Sequence, residues 1–112
     1  MRSQLILRNK EDFSRLHKKG KSVPSRYLIL VHTKNDLSQN RRAFLASKKV
    51  GNSVQRHRAM RLMREAYREI EKEKDLDLGY DFLFIARNSI LNAKCADVKK
   101  NIEDALKRAK LL

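Results

Sequence analysis

The sequence predicts an α+β fold, an α-β sandwich in which three helices pack on a central, mostly antiparallel sheet of about four strands. Segments with apolar residues at helical spacing alternate with short segments rich in β-branched and aromatic residues. Gly20, Gly51 and Gly79 and the single proline, Pro24, separate these segments. The chain has 112 residues, the length of one domain, so we treat residues 1–112 as a single domain.

The first half of the chain predicts one helix followed by strands. Asn9 is suited to cap the helix, Glu11 and Asp12 follow in a first turn that favours negative charge, and Gly20 ends it. The segments RYLILVHT and RRAFLAS are typical of strands, and we expect the second to run antiparallel to the first. The predicted ranges are a helix at 10–19, an extra short strand near 22–25, and strands at 26–33 and 41–47.

The second half predicts a long helix, a strand and a last helix. Asn52 or Ser53 caps the long helix, which runs to about residue 74, and Gly79 separates it from the strand. The strand covers 80–87 and the last helix about 95–110. Alternation in the strand places Phe82, Phe84 and Ala86 on one face of the sheet and Leu83 and Ile85 on the other.

The charge of the chain predicts a polyanionic partner. Lysine and arginine number 27 against 13 acidic residues, a net charge of +14, whereas small soluble domains carry about 2 to 8. Nucleic acid or an anionic membrane surface would offset this self-repulsion. The longest apolar run, residues 27–31, is too short to span a bilayer, so we expect no membrane partner. Because Cys95 is the only cysteine, no internal disulfide is possible, and we expect a cytoplasmic protein.

Arginines are concentrated on one side of the long helix. At about 100° per residue, one continuous apolar arc can pack on the sheet; it consists of Ala59, Leu62, Met63, Ala66, Tyr67 and Ile70. The opposite side is an arginine ridge, which we define as Arg56, His57, Arg58, Arg61, Arg64 and Arg68. Solvated helix faces usually mix charges of both signs, but Glu65 is the only acid in residues 48–68. The ridge therefore predicts a phosphate-binding surface, since guanidinium groups donate bidentately to phosphate oxygens.

The loop before this helix adds to the same surface. Lys48 and Lys49 place two further positive charges there, and the amides of Gly51, Asn52 and Ser53 lie near a helix N-terminus, which favours phosphate. Charge and spacing indicate nucleic acid but leave open whether it is RNA or DNA.

The segment SKKVGNSVQRHRAMRLMREAYR, residues 47–68, resembles the signature of the bacterial ribonuclease P protein subunit. In that family Lys-Lys and Gly-Asn precede an Arg-Asn-Arg triplet, further arginines and an Arg-Glu-Ala ending. The segments KEDFSRLHKKGKSV and DFLFIAR resemble the family's first helix and the strand after its long helix. The resemblance extends over about residues 5–110 and implies the ribosomal protein S5 domain 2-like fold, with a left-handed β-α-β crossover.

The resemblance also implies a function. The chain would be the noncatalytic subunit of an endoribonuclease whose RNA, with Mg²⁺, removes the 5′ leader of precursor tRNA. Its partners would be the ribonuclease P RNA and the leader, with no obligate protein partner, no cofactor or metal bound by the protein itself and no catalytic residue in this chain.

The resemblance assigns residues to two surfaces. The ribozyme-binding set is Lys48, Lys49, Asn52, Arg56, His57, Arg58, Arg61, Arg64 and Arg68. The set for the leader-binding cleft, between the first helix and the sheet, is Phe13, His17, Tyr27 and Lys49. This sequence departs from the family where His57 replaces the asparagine of the triplet, Met60 replaces a basic residue, and His17 and Val31 replace aromatics.

Other chemistries find less support in the sequence. His17, His32 and His57 lack metal-ligand spacing, and Cys95 at helical spacing is typical of a small core residue. The acids of residues 69–77 alternate with lysines and suit a solvated helix end. Two other hypotheses remain open, a ribosomal or general RNA-binding protein and a DNA-binding regulator that places the basic helix in a major groove.

Overall fold

The predicted α+β fold is confirmed: in the described part of the chain, three α-helices alternate with the strands of one four-stranded sheet. This computed structural model describes residues 6, 7 and 9–112. The helices are α1 (Lys10–Lys19), α2 (Ser53–Glu73) and α3 (Cys95–Arg108), and the strands are β1 (Lys21–Pro24), β2 (Leu28–Lys34), β3 (Arg41–Leu45) and β4 (Tyr80–Ala86). A 3-10 helix at Asn88–Asn92, which the sequence analysis did not predict, joins β4 to α3.

The sheet has the strand order β1-β2-β4-β3 and mixes both kinds of pairing. β2 pairs antiparallel with β1 and with β4, whereas β3 pairs parallel with β4. β3 therefore runs opposite to β2, as predicted, but the two strands are not neighbours because β4 lies between them. The long helix α2 connects β3 to β4 and so completes a β-α-β unit, whose left-handedness stays a prediction.

The two faces of the sheet carry two separate apolar clusters. Phe82 and Phe84 of β4 belong to the main core, where they pack with Leu28 and Leu30 of β2 and with the buried faces of α2 and α3. On the other face Leu83 and Ala43 form a smaller cluster with Leu7 and with Leu16 of α1. The alternation predicted for β4 is confirmed, and α1 is left alone on the face opposite to α2 and α3.

The start of α2 is fixed by a capping box. The Asn52 side-chain oxygen accepts a hydrogen bond from the Gln55 amide at 2.9 Å, and Gln55 Oε1 accepts one from the Asn52 amide at 2.8 Å. Gly51 has a φ of 154°, and a Cβ atom there would collide with Gln55 Oε1. Of the two predicted caps, Asn52 is the residue that the structure uses.

A clamp of charged groups ties α1 to the sheet. The Arg41 guanidinium donates to Asp81 Oδ1 and Oδ2 at 2.9 and 2.8 Å and to Asp12 Oδ1 and Oδ2 at 3.1 and 3.2 Å. Asn35 Nδ2 donates a hydrogen bond to Asp81 Oδ1 at 2.9 Å, and Arg15 Nη1 lies 3.8 Å from Asp81 Oδ2. Hydrogen bonds to Asp81 are the main reason that the pKa of Arg41 is raised. The clamp fixes the position of α1 over the sheet.

Replacement of Arg41 by alanine should therefore destabilise the fold. Asp81 is fully buried and would lose its main hydrogen-bond partner, and removal of one partner of a buried ion pair typically costs about 3 kcal/mol. Urea unfolding measures this difference in the free energy of unfolding. The control is Arg58→Ala, which removes one exposed guanidinium and should change stability by less than about 0.5 kcal/mol. Equal stability of the two variants would contradict the role given to the clamp.

Candidate nucleic-acid interface

The arginine ridge is presented to solvent along α2. His57, Arg58, Arg61, Arg64 and Arg68 are all exposed, and Arg56 is half-buried. The underside of the helix is buried as predicted, through Ala59, Met63, Ala66, Tyr67 and Ile70, whereas Leu62 is half-buried. Because the apolar side is held on the sheet, the ridge is held on the outside, where it can neutralise successive phosphates.

The loop lysines lie at the N-terminal end of the ridge. Lys48 and Lys49 are exposed in the turn that leads into α2, where the Lys49 amide contacts Ser47 Oγ at 3.3 Å. Lys49 also lines a shallow depression with Gln55 and with polar residues of the 3-10 helix. Asn52 uses its side-chain oxygen in the capping box, so the structure gives it a structural role, and its contact with RNA stays a prediction.

A cleft of about 450 Å³ lies between α1 and the sheet. Phe13 and His17, one helical turn apart, line its α1 wall, and Val31, Leu83 and Ile85 line its floor. Phe13 is half-buried and His17 is exposed. The structure therefore brings together two of the four residues predicted for this cleft, on a surface that offers apolar area to a flat ligand.

The other two residues predicted for the cleft lie elsewhere. Tyr27 precedes β2 and packs against the main core; its amide donates to Asn101 of α3 at 3.0 Å, and the Arg26 guanidinium lies 5.3 Å from its ring. Lys49 lies beside the N-terminus of α2, as described above. Sequence analysis assigned Tyr27 to the cleft through the family resemblance, within a strand predicted at 26–33; in the structure β2 begins at Leu28, so Tyr27 precedes the strand.

A second cavity, which the sequence analysis did not predict, lies where the ridge meets the outer edge of the sheet. This edge pocket has a volume of about 560 Å³. It is bounded by Ile6, Leu7 and Phe13, by Arg42 to Leu45 of β3, and by Arg64, Arg68, Glu71 and Lys72 of α2. The alternation of RRAFL was a usable signal, because it places Arg42 and Phe44 on the same face of β3. The pocket could still not be predicted, because only the strand order shows that β3 lies at the edge of the sheet.

Groups suited to other chemistries are few in the part of the chain that the structure describes. No three His, Cys, Asp or Glu side chains there are grouped so that they could hold a metal ion. Burial raises the pKa of the half-buried Cys95 thiol, which disfavours the nucleophilic thiolate. No helix in the described residues is long and apolar enough to cross a bilayer.

Comparison with known sequences gives one consistent result. The sequence pattern of the family described as Ribonuclease P matches residues 1–110. The ribonuclease P protein component of Pelotomaculum thermopropionicum is 40% identical over 106 residues, which cover 95% of this chain and 93% of that protein. The corresponding protein of Clostridium botulinum strain Loch Maree is 41% identical over 109 residues, covering 97% and 96%.

Solved structures show the same likeness. The Staphylococcus aureus RNase P protein, in a mutant form with defective mRNA degradation activity, superposes with a TM-score of 0.83 at 29% identity, over 100% of this chain and 93% of that one. The RNase P protein of Thermotoga maritima gives a TM-score of 0.79 at 25% identity, over 91% and 94%.

Proposed function

Because the chain belongs to the ribonuclease P protein family, we propose that it is the noncatalytic subunit that binds the ribonuclease P RNA and the 5′ leader of precursor tRNA. In this proposal the RNA subunit carries out Mg²⁺-dependent hydrolysis in the cytoplasm and gives the mature 5′ end of tRNA. The protein supplies positive charge and positions the substrate.

The observation that carries the proposal is the arginine ridge. Five arginines lie on one helix whose opposite side is anchored in the core, and Glu65 is the only acid among them. Their guanidinium groups would neutralise phosphates of the folded RNA and lower its demand for metal ions, because each neutralised phosphate releases counterions. Lys48 and Lys49 would extend this contact at the N-terminal end of α2.

The cleft between α1 and the sheet supports binding of a single strand. Phe13 offers an aromatic ring beside the apolar floor of Val31, Leu83 and Ile85, and His17 offers a second flat ring one turn further along α1. Stacking on such rings tolerates any base, which suits leaders of varied sequence. We therefore propose Phe13 and His17 for the leader, and Tyr27, which packs on the main core, is left out of this role.

Reconstitution tests the proposal as a whole. The protein is mixed with the ribonuclease P RNA of a related bacterium and precursor tRNA at limiting Mg²⁺, and cleavage of the leader is followed. We expect cleavage that requires the protein, because the ridge replaces part of the metal ions that neutralise the RNA. If the protein binds other folded RNAs equally well and gives no stimulation, the general RNA-binding hypothesis holds instead. Preferential binding to duplex DNA would favour the DNA-binding hypothesis.

Replacement of Arg61 by alanine should weaken binding to the ribonuclease P RNA. Loss of one phosphate contact lowers the slope of log K against log salt concentration by about 0.7 to 0.9. Filter binding over a range of salt concentrations measures the slope. The matched control is Lys107→Ala, which removes one exposed positive charge from α3, away from the ridge. Identical slopes for both variants would show that Arg61 contacts no phosphate.

Replacement of Phe13 by leucine should reduce the preference for precursor tRNA over mature tRNA. Leucine keeps the apolar packing of α1 on the sheet but removes the stacking ring, and we expect a loss of about 1 kcal/mol, roughly fivefold. The measurement is the dissociation constant for mature tRNA divided by that for precursor tRNA, both determined with the reconstituted complex. Tyr27→Leu is the control and should leave the ratio unchanged. A lower ratio in Tyr27→Leu but not in Phe13→Leu would place the leader elsewhere.

A further inference from the structure

The edge pocket described above has an apolar floor that is held rigidly. The Phe44 ring stacks on Phe84 with centroids 5.4 Å apart and planes at 13°, and it meets Tyr67 edge-on at 6.3 Å. Ile6, which is paired with Arg42, lies on the Phe44 side of β3 and is 40% exposed, whereas Leu45 lines the pocket from the opposite face of β3 and is 44% exposed. Large apolar side chains this exposed in a concave site are typical of a binding surface.

The rim of the edge pocket is strongly positive. Arg64, Arg68 and Lys72 follow one another four residues apart on α2, and Arg42 of β3 completes the rim. Glu71 is the only acidic residue in the lining, so four cations stand against one carboxylate. The ligand that complements this rim is an anion.

The arrangement of floor and rim selects the kind of anion. The Arg64 guanidinium lies over the Phe44 ring, with Cζ 5.9 Å from the centroid, so a planar cation backed by an aromatic ring forms the pocket wall. Unstacked bases of RNA stack on guanidinium planes, with their phosphates on nearby cations. An acidic peptide would match the charge of the rim, but its aliphatic acid side chains would not use the planar surface of the guanidinium.

The pocket is also continuous with the surfaces described above. Arg64 and Arg68 belong both to its rim and to the arginine ridge, and Phe13 lines both the pocket and the α1 cleft. A strand of RNA whose phosphates lie on the ridge therefore passes the mouth of the pocket. A volume of about 560 Å³ is within the range of roughly 300 to 1,000 Å³ found for small-molecule sites.

We propose that the edge pocket binds one unstacked nucleotide of the RNA partner. Its base lies against Ile6 and the Arg64 guanidinium that covers Phe44, and its phosphate lies between Arg64 and Arg68. This proposal rests on the proposed function, since it adds a base-binding subsite to the ridge.

The test uses the isolated protein and two small probes, so that it does not depend on the ribozyme. Adenosine 5′-monophosphate and ribose 5-phosphate, which lacks the base, are titrated at low salt into the millimolar range. Methyl resonances of Ile6 and Leu45 report on the edge pocket, and those of Val31 and Leu83 report on the α1 cleft. We expect the nucleotide, and not the sugar phosphate, to shift the Ile6 and Leu45 resonances.

A pair of variants makes the test specific. Leu45→Glu places a carboxylate in the lining of the pocket and should weaken nucleotide binding at the Ile6 reporter by about tenfold or more. Leu78→Glu makes the same charge change at a leucine that is 67% exposed and lies in the turn before β4, and it should leave the Ile6 shift intact. An unchanged Ile6 shift in Leu45→Glu would overturn the proposal.

Other results overturn it as well. Equal shifts with the sugar phosphate would reduce the site to an anion contact, and stronger shifts with hexaglutamate would make it a peptide site. Shifts confined to Val31 and Leu83, or no shift at all, would show that the pocket takes no base. Failure of the reconstitution described above, together with a positive titration, would instead reject the ribonuclease role and leave a nucleotide site.

Discussion

The Arg41 guanidinium holds two carboxylates that lie far apart in the sequence, Asp12 of α1 and Asp81 of β4. Asp81 is fully buried, so its charge depends on this partner for compensation. The contact matters beyond stability because Phe13, the neighbour of Asp12, forms a wall of both the α1 cleft and the edge pocket. The shape of both cavities thus depends on where the clamp holds α1.

The same clamp helps to explain how a chain with a net charge of +14 keeps one surface strongly basic. Two of its 13 acidic residues are used inside the clamp, and Glu73 pairs with Lys99 of α3 at the far end of α2. Along the first four turns of α2 only Glu65 is acidic. Three acids thus join elements of the fold, and the ridge, with Glu65 as its only acidic neighbour in residues 56–68, keeps a strongly positive potential for a polyanion.

Local patterns were sufficient to predict the elements but not their arrangement. Asn9 and Asn52 marked the helix starts, and the alternation of YDFLFIAR identified both faces of β4, because these signals lie within a few residues. The parallel pairing of β3 with β4 joins residues about 40 positions apart, such as Phe44 and Phe84, and no local pattern encodes it. The edge pocket depends on that pairing, and so Phe44 and Leu45 were not predicted as site residues. Tyr27 was assigned to the cleft only through the family resemblance, and its packing on the main core depends on contacts with α3 that no local pattern encodes.

The capping box at the start of α2 bears on how the arginine ridge meets its ligand. Gly51 leaves room for the Gln55 side chain, and Asn52 closes the first turn, so the helix begins at a fixed residue and the backbone positions of the arginines are set. Two residues of the Lys-Lys-Val-Gly-Asn segment, Gly51 and Asn52, thus shape the start of the helix. A substitution at Gly51 would let the first turn fray, and binding would then have to restore order there. Gly51 and Asn52 thus contribute through preorganisation: they lower the entropy lost on association.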